Sequence, residues 1–200
     1  MSTITYPFSA YELQWLQAGY TIFGKSGPDG LRIEVMAREV GISKSSFYHH
    51  FSDLQLFQDK LMEYHLIRGR ELAAKATECA SFDPDFIMMI LDHKEDIFFN
   101  QMLRVHRANL SYQICFETAH GYVEKAIEGI LGNYLGIPGQ SDLIRSIFKV
   151  TSDLFYQRME HSNFTYEWTS GLLHEVLGFM DEVIRHSGVL RLKKENEPSS

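Results

Sequence analysis

Residues 31–57, LRIEVMAREVGISKSSFYHHFSDLQLF, constrain the fold of this chain more than any other stretch. One helix face is marked by four apolar residues at helical spacing: Ile33, Met36, Ala37 and Val40. Gly41 then ends this helix, because glycine adopts the left-handed conformation of a helix C-terminus without strain. Ser43 is placed to cap a second short helix, in which Phe47 and Phe51 share a buried face. The stretch therefore predicts two short helices joined by a tight turn.

Helical patterns continue on both sides of this stretch. A first helix is predicted to end in the glycine-rich segment 24–30. Later helices are predicted at residues 53–79, 83–93, 95–107, 109–135, 142–160 and 166–186. Four side chains are placed to cap helix N-termini: Ser9, Ser52, Asp83 and Thr165. Glu12 and Gln55 follow the first two of these by three residues, which is the capping-box pattern.

The predicted fold class is all-α, with a three-part organisation. We expect residues 1–53 to form a helical head and residues 54–189 to form a helical body entered through a long connector helix. Residues 190–200 are expected to form a polar tail. No segment approaches the run of about 20 apolar residues that a membrane span needs, so we expect no membrane partner. Cys79 and Cys115 are expected to be reduced, partly buried thiols of a cytoplasmic protein.

The formal net charge of −7 is unusual for a chain that binds nucleic acid, but it is unevenly distributed. Residues 1–70 carry seven Lys and Arg against seven Asp and Glu, whereas residues 71–200 carry twelve against nineteen. All of the excess acidity therefore lies in the body. Attraction of a polyanion to the neutral head must come from one local face.

The two short helices around Gly41 are typical of a helix-turn-helix. In that motif the second helix lies in the major groove of DNA, and its N-terminal residues reach the base edges. The outer face of this helix offers donors and small side chains that suit bases and phosphates: Lys44, Ser45, Ser46, Tyr48 and His49. A solvated face on an ordinary helical hairpin is the alternative. The coincidence of capping signals, turn glycine and spaced aromatic residues favours DNA binding.

These residues resemble the DNA-binding head of the TetR family of bacterial transcriptional regulators. The resemblance rests on an apolar-Ala pair, a Gly-apolar-Ser turn and an aromatic run: Met36-Ala37, Gly41-Ile42-Ser43 and Phe47-Tyr48-His49-His50-Phe51. It implies a homodimer that binds double-stranded DNA at a palindromic operator, with repression as the default. The DNA-binding residues that we predict are Arg32, Ser43, Lys44, Ser45, Ser46, Tyr48, His49 and His50.

Two positions depart from the family pattern. Leu54 stands where the family commonly has a lysine that contacts phosphate near the start of the connector helix. Arg32 stands where a threonine often begins the first helix of the motif. We hypothesise that Arg32 replaces some of the phosphate attraction that is lost at Leu54.

The resemblance also implies that the last two helices pair with their copies as a four-helix bundle, so that two heads lie about 34–36 Å apart. The candidate interface residues are Leu143, Ile147, Leu154, Leu172, Val176 and Val183. The alternative is that some of them only fill the core of one chain, because a stripe of apolar residues cannot be divided between core and interface from sequence.

The middle of the chain, about residues 80–135, is rich in aromatic residues, Met and His, and would be the sensor. Such a composition suits a pocket for a small hydrophobic or aromatic effector, although plain core packing is the alternative. The candidate effector contacts are Phe98, Met102, His106, Tyr112, Phe116 and His120.

Other classes of protein fit less well. No two of the nine histidines stand four apart, and the zinc-protease-like start His174-Glu175 is followed by Gly178 where a second histidine would be needed. The chain has no phosphate-binding glycine loop and no Gly-x-Ser-x-Gly motif. We therefore predict no catalytic residue, no metal site and no cofactor, and an enzyme is the distant alternative. The nearer alternative is a helix-turn-helix protein whose body recruits a protein partner and binds no small molecule.

Overall fold

The computed structural model describes residues 6–186, which form helices and no strand, so the all-α prediction is confirmed. The first four helices are α1 (Ala10–Ser26), α2 (Ile33–Val40), α3 (Lys44–His50) and α4 (Leu54–Ala76). The later helices are α5 (Ile87–Asp92), α6 (Lys94–Val105), α7 (Leu110–Tyr134), α8 (Ser141–Arg158) and α9 (Tyr166–His186). A 3-10 turn at Pro28–Gly30 precedes α2, and a π-helical turn at Phe82–Phe86 precedes α5. The predicted tail lies outside the described residues.

The chain divides into two compact units. The first unit contains the residues up to Glu78 together with Asp92–Ile127, and therefore α1 to α4, α6 and most of α7. The second unit contains Cys79–Leu91 and the residues from Glu128 onward, and therefore most of α5, the end of α7, α8 and α9. The division of the chain into a head of residues 1–53 and a separate body stays a prediction.

Two helices begin where capping residues predict. In α1 the Ser9 amide donates to Glu12 Oε2 at 2.9 Å, and the Glu12 amide donates to Ser9 Oγ at 3.2 Å. These reciprocal bonds satisfy two amides that have no partner within the helix, which confirms the capping box. At the start of α9, Thr165 Oγ1 accepts from the Trp168 amide at 3.3 Å, which confirms the second predicted cap.

The corner between α2 and α3 depends on Gly41. This residue has φ 75° and ψ 23°, the left-handed conformation that was predicted for it. The amides of Gly41 and Ile42 both donate to the Ala37 carbonyl, at 2.9 and 3.1 Å, so the last turn of α2 keeps hydrogen-bonded partners. The chain can then turn at once into α3.

The predicted capping box at Ser52 and Gln55 is wrong. Asp53 caps α4 instead, and its Oδ1 accepts from the Leu56 amide at 2.8 Å. The Ser52 hydroxyl donates to the other carboxylate oxygen of Asp53 at 3.2 Å. An ionised carboxylate forms stronger hydrogen bonds with amides than a hydroxyl does, so the residue one position later takes the capping role.

The predicted cap at Asp83 is also wrong. Ser81 caps this segment, because its hydroxyl accepts from the Asp85 amide at 3.4 Å. Asp83 has an extended conformation, and its carboxylate accepts from the Tyr166 hydroxyl at 2.5 Å and from the Ser170 hydroxyl at 2.8 Å. Two hydroxyls of α9, more than 80 residues away in sequence, thus replace the local amide as partners.

One apolar core runs through the first unit and includes side chains from both α1 and α6. Phe99 of α6 stacks on Tyr20 and Phe23 of α1, with ring centroids 4.2 and 4.4 Å away. The largest core members are each no more than 1% exposed: Trp15, Leu16, Tyr20, Phe23, Met36, Phe47, Phe51, Phe57, Leu61, Phe99 and Leu103. Helix α6 is therefore packed directly against the first helix of the chain.

In the second unit, α8 and α9 pack against each other through apolar faces. The buried residues on these faces are Ile144, Ile147, Phe148, Phe155, Leu172, Leu173, Val176 and Leu177. Both helices also carry large apolar residues that remain exposed: Val150, Phe179 and Val183. The two helices thus have more apolar surface than their contact with each other covers.

No helix within residues 6–186 combines the length and the apolar character needed to cross a membrane. Cys79 is half-buried and Cys115 is buried, which confirms the burial predicted for both thiols. Burial raises the pKa of the Cys115 thiol to about 12, which disfavours its thiolate form.

Candidate DNA-binding surface

Helix α3 rests on a cluster of aromatic rings. Phe47 and Phe51 are fully buried, as predicted, and their ring centroids lie 5.1 Å apart. The Phe47 ring also lies 5.3 Å from that of Trp15 in α1 and 5.5 Å from that of Phe57 in α4. Contacts with two neighbouring helices fix the rotation of α3 about its own axis. The opposite face of α3 is therefore turned to solvent.

The eight residues predicted to contact DNA lie at the start of α2 and at the start and along the length of α3. Six of them are exposed: Arg32, Ser43, Lys44, Ser45, Tyr48 and His49. Ser46 and His50 are half-buried. Tyr48 leaves 58% of its surface exposed, which is a large fraction for an aromatic residue. The structure thus brings these side chains onto one region of the head, and their contact with DNA stays a prediction.

Ser43 occupies the N-cap position of α3 but makes no capping bond with its side chain. Its hydroxyl lies 2.8 Å from the Ser45 hydroxyl, so the two side chains pair with each other. The predicted N-cap position of Ser43 is confirmed, and its hydroxyl pairs with that of Ser45 in place of a helix amide. The carbonyl of Ser43 still accepts from the Ser46 amide at 3.0 Å.

Lys44 is paired with an acidic residue that the sequence did not assign to this surface. Its Nζ lies 2.6 Å from Glu34 Oε1, and the two side chains are 55% and 64% exposed. The hydrogen bond from Lys44 holds the pKa of the Glu34 carboxyl below its usual value. The sequence shows only that an acidic residue, Glu34, lies in the first turn of α2 and that a basic residue, Lys44, is the first of α3. Only the crossing of the two helices brings them together.

Tyr11 is a second residue of this region that the sequence did not identify. It is 59% exposed, and its ring stacks on that of His50 with centroids 5.8 Å apart and an interplanar angle of 15°. Helical spacing places Tyr11 on the outer face of α1, but its neighbour depends on how α1 crosses α3. The first turn of α1 therefore borders the predicted DNA-binding face.

Residues 16–53 match the family model described as bacterial regulatory proteins, tetR family. The matched residues contain the two helices around Gly41 and the complete outer face of α3. Over these residues the chain is similar to TetR-family proteins. The resemblance seen in the sequence is thereby confirmed over these residues.

Solved structures of TetR-family proteins resemble the chain beyond the head. A TetR-family transcriptional regulator from Rhodococcus sp. has a TM-score of 0.53 and 18% identity, over 88% of this chain and 99% of that chain. A TetR-family transcriptional regulator from Streptomyces coelicolor has a TM-score of 0.39 and 21% identity, over 84% of this chain and 98% of that chain. No curated protein matches the sequence. The likeness to the Rhodococcus structure shows that the fold is of the TetR type.

A buried polar network joins the TetR-family head to α4 and α6 within the first unit. The Tyr20 hydroxyl of α1 donates to Asp96 Oδ1 at 2.7 Å and lies 2.6 Å from His65 Nδ1. Arg68 of α4 donates from Nε and Nη2 to the two Asp96 oxygens, at 2.5 and 2.8 Å. His65 Nε2 lies 3.0 Å from Asn100 Oδ1. Side chains of α1, α4 and α6 are therefore linked directly by hydrogen bonds.

The charges in this network are fixed by burial and by pairing. Burial alone would raise the pKa of the Asp96 carboxyl, but the Arg68 guanidinium outweighs it and holds the pKa below its usual value. Burial lowers the pKa of His65 to about 4, so its imidazole is neutral at pH 7. Burial and the neighbouring Asp96 charge raise the pKa of Tyr20 well above its usual value. At neutral pH the network thus contains a single ion pair.

The six candidate effector contacts all lie in the first unit. Tyr112 is 6% exposed and meets Phe23 edge-on at 5.6 Å, and Met102 and Phe116 pack against the same core. Phe98 is also 6% exposed. His120 is half-buried and stacks on Phe116 at 5.2 Å. These contacts are core packing, and binding of an effector by any of these residues stays a prediction.

His106, the sixth candidate, lies against the head. A Cβ added at Gly27 would lie 2.5 Å from His106 Nε2, so the imidazole fills the space that a glycine leaves at the end of α1. Gly27 has φ 65°, which also favours glycine. The end of α6 is thus in contact with the residue that follows α1.

The six candidate interface residues divide by exposure. Ile147, Leu172 and Val176 are 4%, 7% and 7% exposed, so they are largely covered within one chain. Leu143 and Leu154 are half-buried, and Val183 is 47% exposed. Phe179, which the sequence did not single out, is 61% exposed one turn before Val183. Val183 is therefore the one exposed member of this set, and contact of any of the six with a second copy stays a prediction.

Proposed function

We propose that this protein is a homodimeric repressor that binds a palindromic operator and is released by a small hydrophobic or aromatic effector. The observation that carries the proposal is the packing of α3 against α1 and α4 through its aromatic face. Its buried aromatic face leaves Lys44, Tyr48 and His49 exposed on the side where a reading helix meets bases. A regulator of the TetR type is the class that this head and this fold support.

Attraction to DNA has to be local in this protein. The net charge is −7, and the exposed basic residues at the predicted surface are few, with Arg32 at the start of α2 and Lys44 at the start of α3. A protein with few phosphate contacts gains little from counterion release. Useful affinity would therefore require two heads that bind together, which is the reason to propose a dimer.

The dimer would form through the exposed apolar side chains of α8 and α9. Val150, Phe179 and Val183 expose 45%, 61% and 47% of their surfaces. Burial of such side chains against a second copy would contribute about 25 cal/mol per Å² of apolar surface. In a dimer that binds a palindromic operator, the two heads would meet successive major grooves.

The polar network gives the proposed effector a route to the head. Asp96 and the candidates Phe98 and Met102 all lie on α6, and Asp96 is bonded to Tyr20 of α1. An effector that shifts α6 would disturb this bond and the stacked rings beside it. It would release DNA only if it binds more tightly to the conformation whose heads do not fit the operator.

The direct test is gel retardation of a palindromic DNA taken from beside the protein's own gene, at several salt concentrations. We expect salt-dependent retardation by the dimer, and absence of any retardation at low salt would overturn the proposal. Arg32→Ala should weaken binding to all sequences and reduce the slope of log affinity against log salt by about one. Arg158→Ala is the matched control, since this arginine is exposed on α8 in the second unit, and it should leave the slope unchanged.

A second test concerns the effector. The protein would be melted against a panel of small hydrophobic and aromatic compounds, because a ligand at 100 times its dissociation constant adds about 2.7 kcal/mol of stability. A hit that also releases the operator supports the proposed regulation. If no compound raises the melting temperature while operator binding is intact, the alternative of a body that recruits a protein partner is favoured.

A further inference from the structure

The pair formed by Glu34 and Lys44 lies across the predicted reading surface. The 2.6 Å contact joins the first turn of α2 to the first residue of α3, and both side chains are more than half exposed. In an exposed pair, neither partner is required for the core. The fold itself is therefore held by the aromatic cluster beneath α3, and the pair is free to break when another anion replaces Glu34.

The geometry makes Glu34 an internal substitute for a DNA anion. The Lys44 ammonium donates to a carboxylate oxygen at the distance at which it would donate to a phosphate oxygen. Lys44 is the first residue of α3, where the side chains of a reading helix reach the DNA. Approach of DNA must therefore separate the pair, and it leaves an unpaired carboxylate facing a polyanion.

We infer that Glu34 attenuates DNA binding by occupying Lys44 in the free protein and by repelling phosphate in the complex. This inference rests on the proposed function, since it needs the outer face of α3 to meet DNA. It makes the affinity of the head lower than its residue types alone would indicate, and it suppresses binding to non-operator DNA, which depends on phosphate contacts.

Among the basic residues near Glu34, Lys44 is the main partner of its carboxylate. Arg32 and Arg38 are both exposed, and the charge of Arg32 is the weakest of the influences that lower the pKa of Glu34. Lys44 makes the strongest of them. Glu39, the other acidic residue of α2, is exposed and provides a natural control.

The experiment measures the affinity of the purified full-length protein for a non-operator duplex and for its operator, at several salt concentrations. Glu34→Gln should strengthen binding to the non-operator duplex about two- to fivefold, which is the range expected from an exposed ion pair. It should also steepen the salt slope by about one unit, because the complex no longer retains a cation beside the carboxylate. Glu39→Gln removes the same charge from the same helix and should change neither quantity by as much.

Lys44→Ala, alone and combined with Glu34→Gln, completes a double-mutant cycle. If Glu34 acts mainly through Lys44, then Glu34→Gln should have less than half of its effect on affinity when Lys44 is already alanine. Equal gains in Glu34→Gln and Glu39→Gln would reduce the effect to net charge and overturn the inference. Weaker binding of the operator by Glu34→Gln would also overturn it, because Glu34 would then contact DNA favourably.

A readout without DNA separates this inference from the proposed function. Titration of the Glu34 carboxyl by NMR should show a higher pKa in Lys44→Ala than in the unaltered protein. An unchanged pKa would show that the pair is absent in solution. It would overturn the inference regardless of the results of the DNA-binding measurements. If the pKa rises but no variant binds DNA at low salt, the proposed function fails together with any role of Glu34 in DNA binding.

Discussion

Gly41 holds a left-handed conformation at the corner that sets the direction of α3. A Cβ at this position would meet no atom within 4 Å, so the only cost of an alanine is the backbone conformation. We expect Gly41→Ala to lower the free energy of unfolding by about 1–2 kcal/mol, measured by urea denaturation. Gly121→Ala is the matched control, because Gly121 lies inside α7 and also has open space around its Cα. It should raise stability by about 0.5–1 kcal/mol.

The lowered pKa of His65 predicts how the free energy of unfolding depends on pH. Its pKa is lowered to about 4 in the folded chain, whereas an unfolded chain has a histidine pKa of about 6.5. The unfolded state therefore takes up a proton first as the pH falls, and folding loses stability between pH 6.5 and 4. From pH 7 to pH 5 this loss should be about 2 kcal/mol, measured by urea denaturation at each pH.

The control for this pH dependence is His65→Gln, which removes the titrating group. The variant should be less stable at pH 7, but its free energy of unfolding should change less between pH 7 and pH 5. A variant that shows the same change as the unaltered protein would exclude His65 as its source.

The ion pair of Asp96 and Arg68 acts between helices, since it ties α6 to α4 beneath α1. Asp96 is 2% exposed and the Arg68 side chain is 24% exposed. Asp96→Asn would leave a largely buried guanidinium without its carboxylate, and we expect a loss of about 3 kcal/mol in the free energy of unfolding. The same change at Asp181, whose pair with Arg185 on α9 is much less buried at 30% and 69% side-chain exposure, should cost less than about 0.5 kcal/mol. Similar losses in both variants would contradict the structural role of the buried pair.

Helix ends are predictable from the sequence at several places where the determining residues are close neighbours, although at Ser52 the adjacent Asp53 takes the cap instead. The capping box of Ser9 and Glu12, the turn at Gly41 and the cap at Thr165 each involve residues within four positions of one another, and all three are confirmed. The failure at Asp83 has the opposite origin, because its partners lie on α9. A local pattern carries no information about a hydroxyl that arrives from a distant helix.

The candidate DNA-binding surface follows the same rule. Periodicity predicts that Phe47 and Phe51 are buried, and it thereby predicts which side of α3 is exposed. The contact of Glu34 with Lys44 and that of Tyr11 with His50 are not predictable in this way, because both depend on the angle at which helices cross. The exposure of a side chain can be predicted from the periodicity of its own helix. Its contact partner depends on how two helices pack against each other.

For the whole molecule, the proposed dimer makes a specific prediction. Replacement of both Phe179 and Val183 by glutamate should convert the dimer into a monomer in sedimentation velocity experiments. Both residues are exposed in one chain, so the helical content measured by circular dichroism should be retained. Val105→Glu is the control, since Val105 is 59% exposed in the first unit and should leave the dimer intact. A double variant that stays dimeric would place the interface elsewhere.

The stacking of Phe99 on Tyr20 and Phe23 has a consequence for the exchange of heads between regulators. A chimera that receives only residues 16–53 acquires two aromatic rings of α1 without the α6 ring that covers them. An α6 from another protein would carry different side chains at this contact. The two α1 rings would then be exposed or poorly packed. A transferable module would therefore include α6 and the α4 and α7 residues of the same core as well as the head. These segments are separate in the gene and continuous in the core.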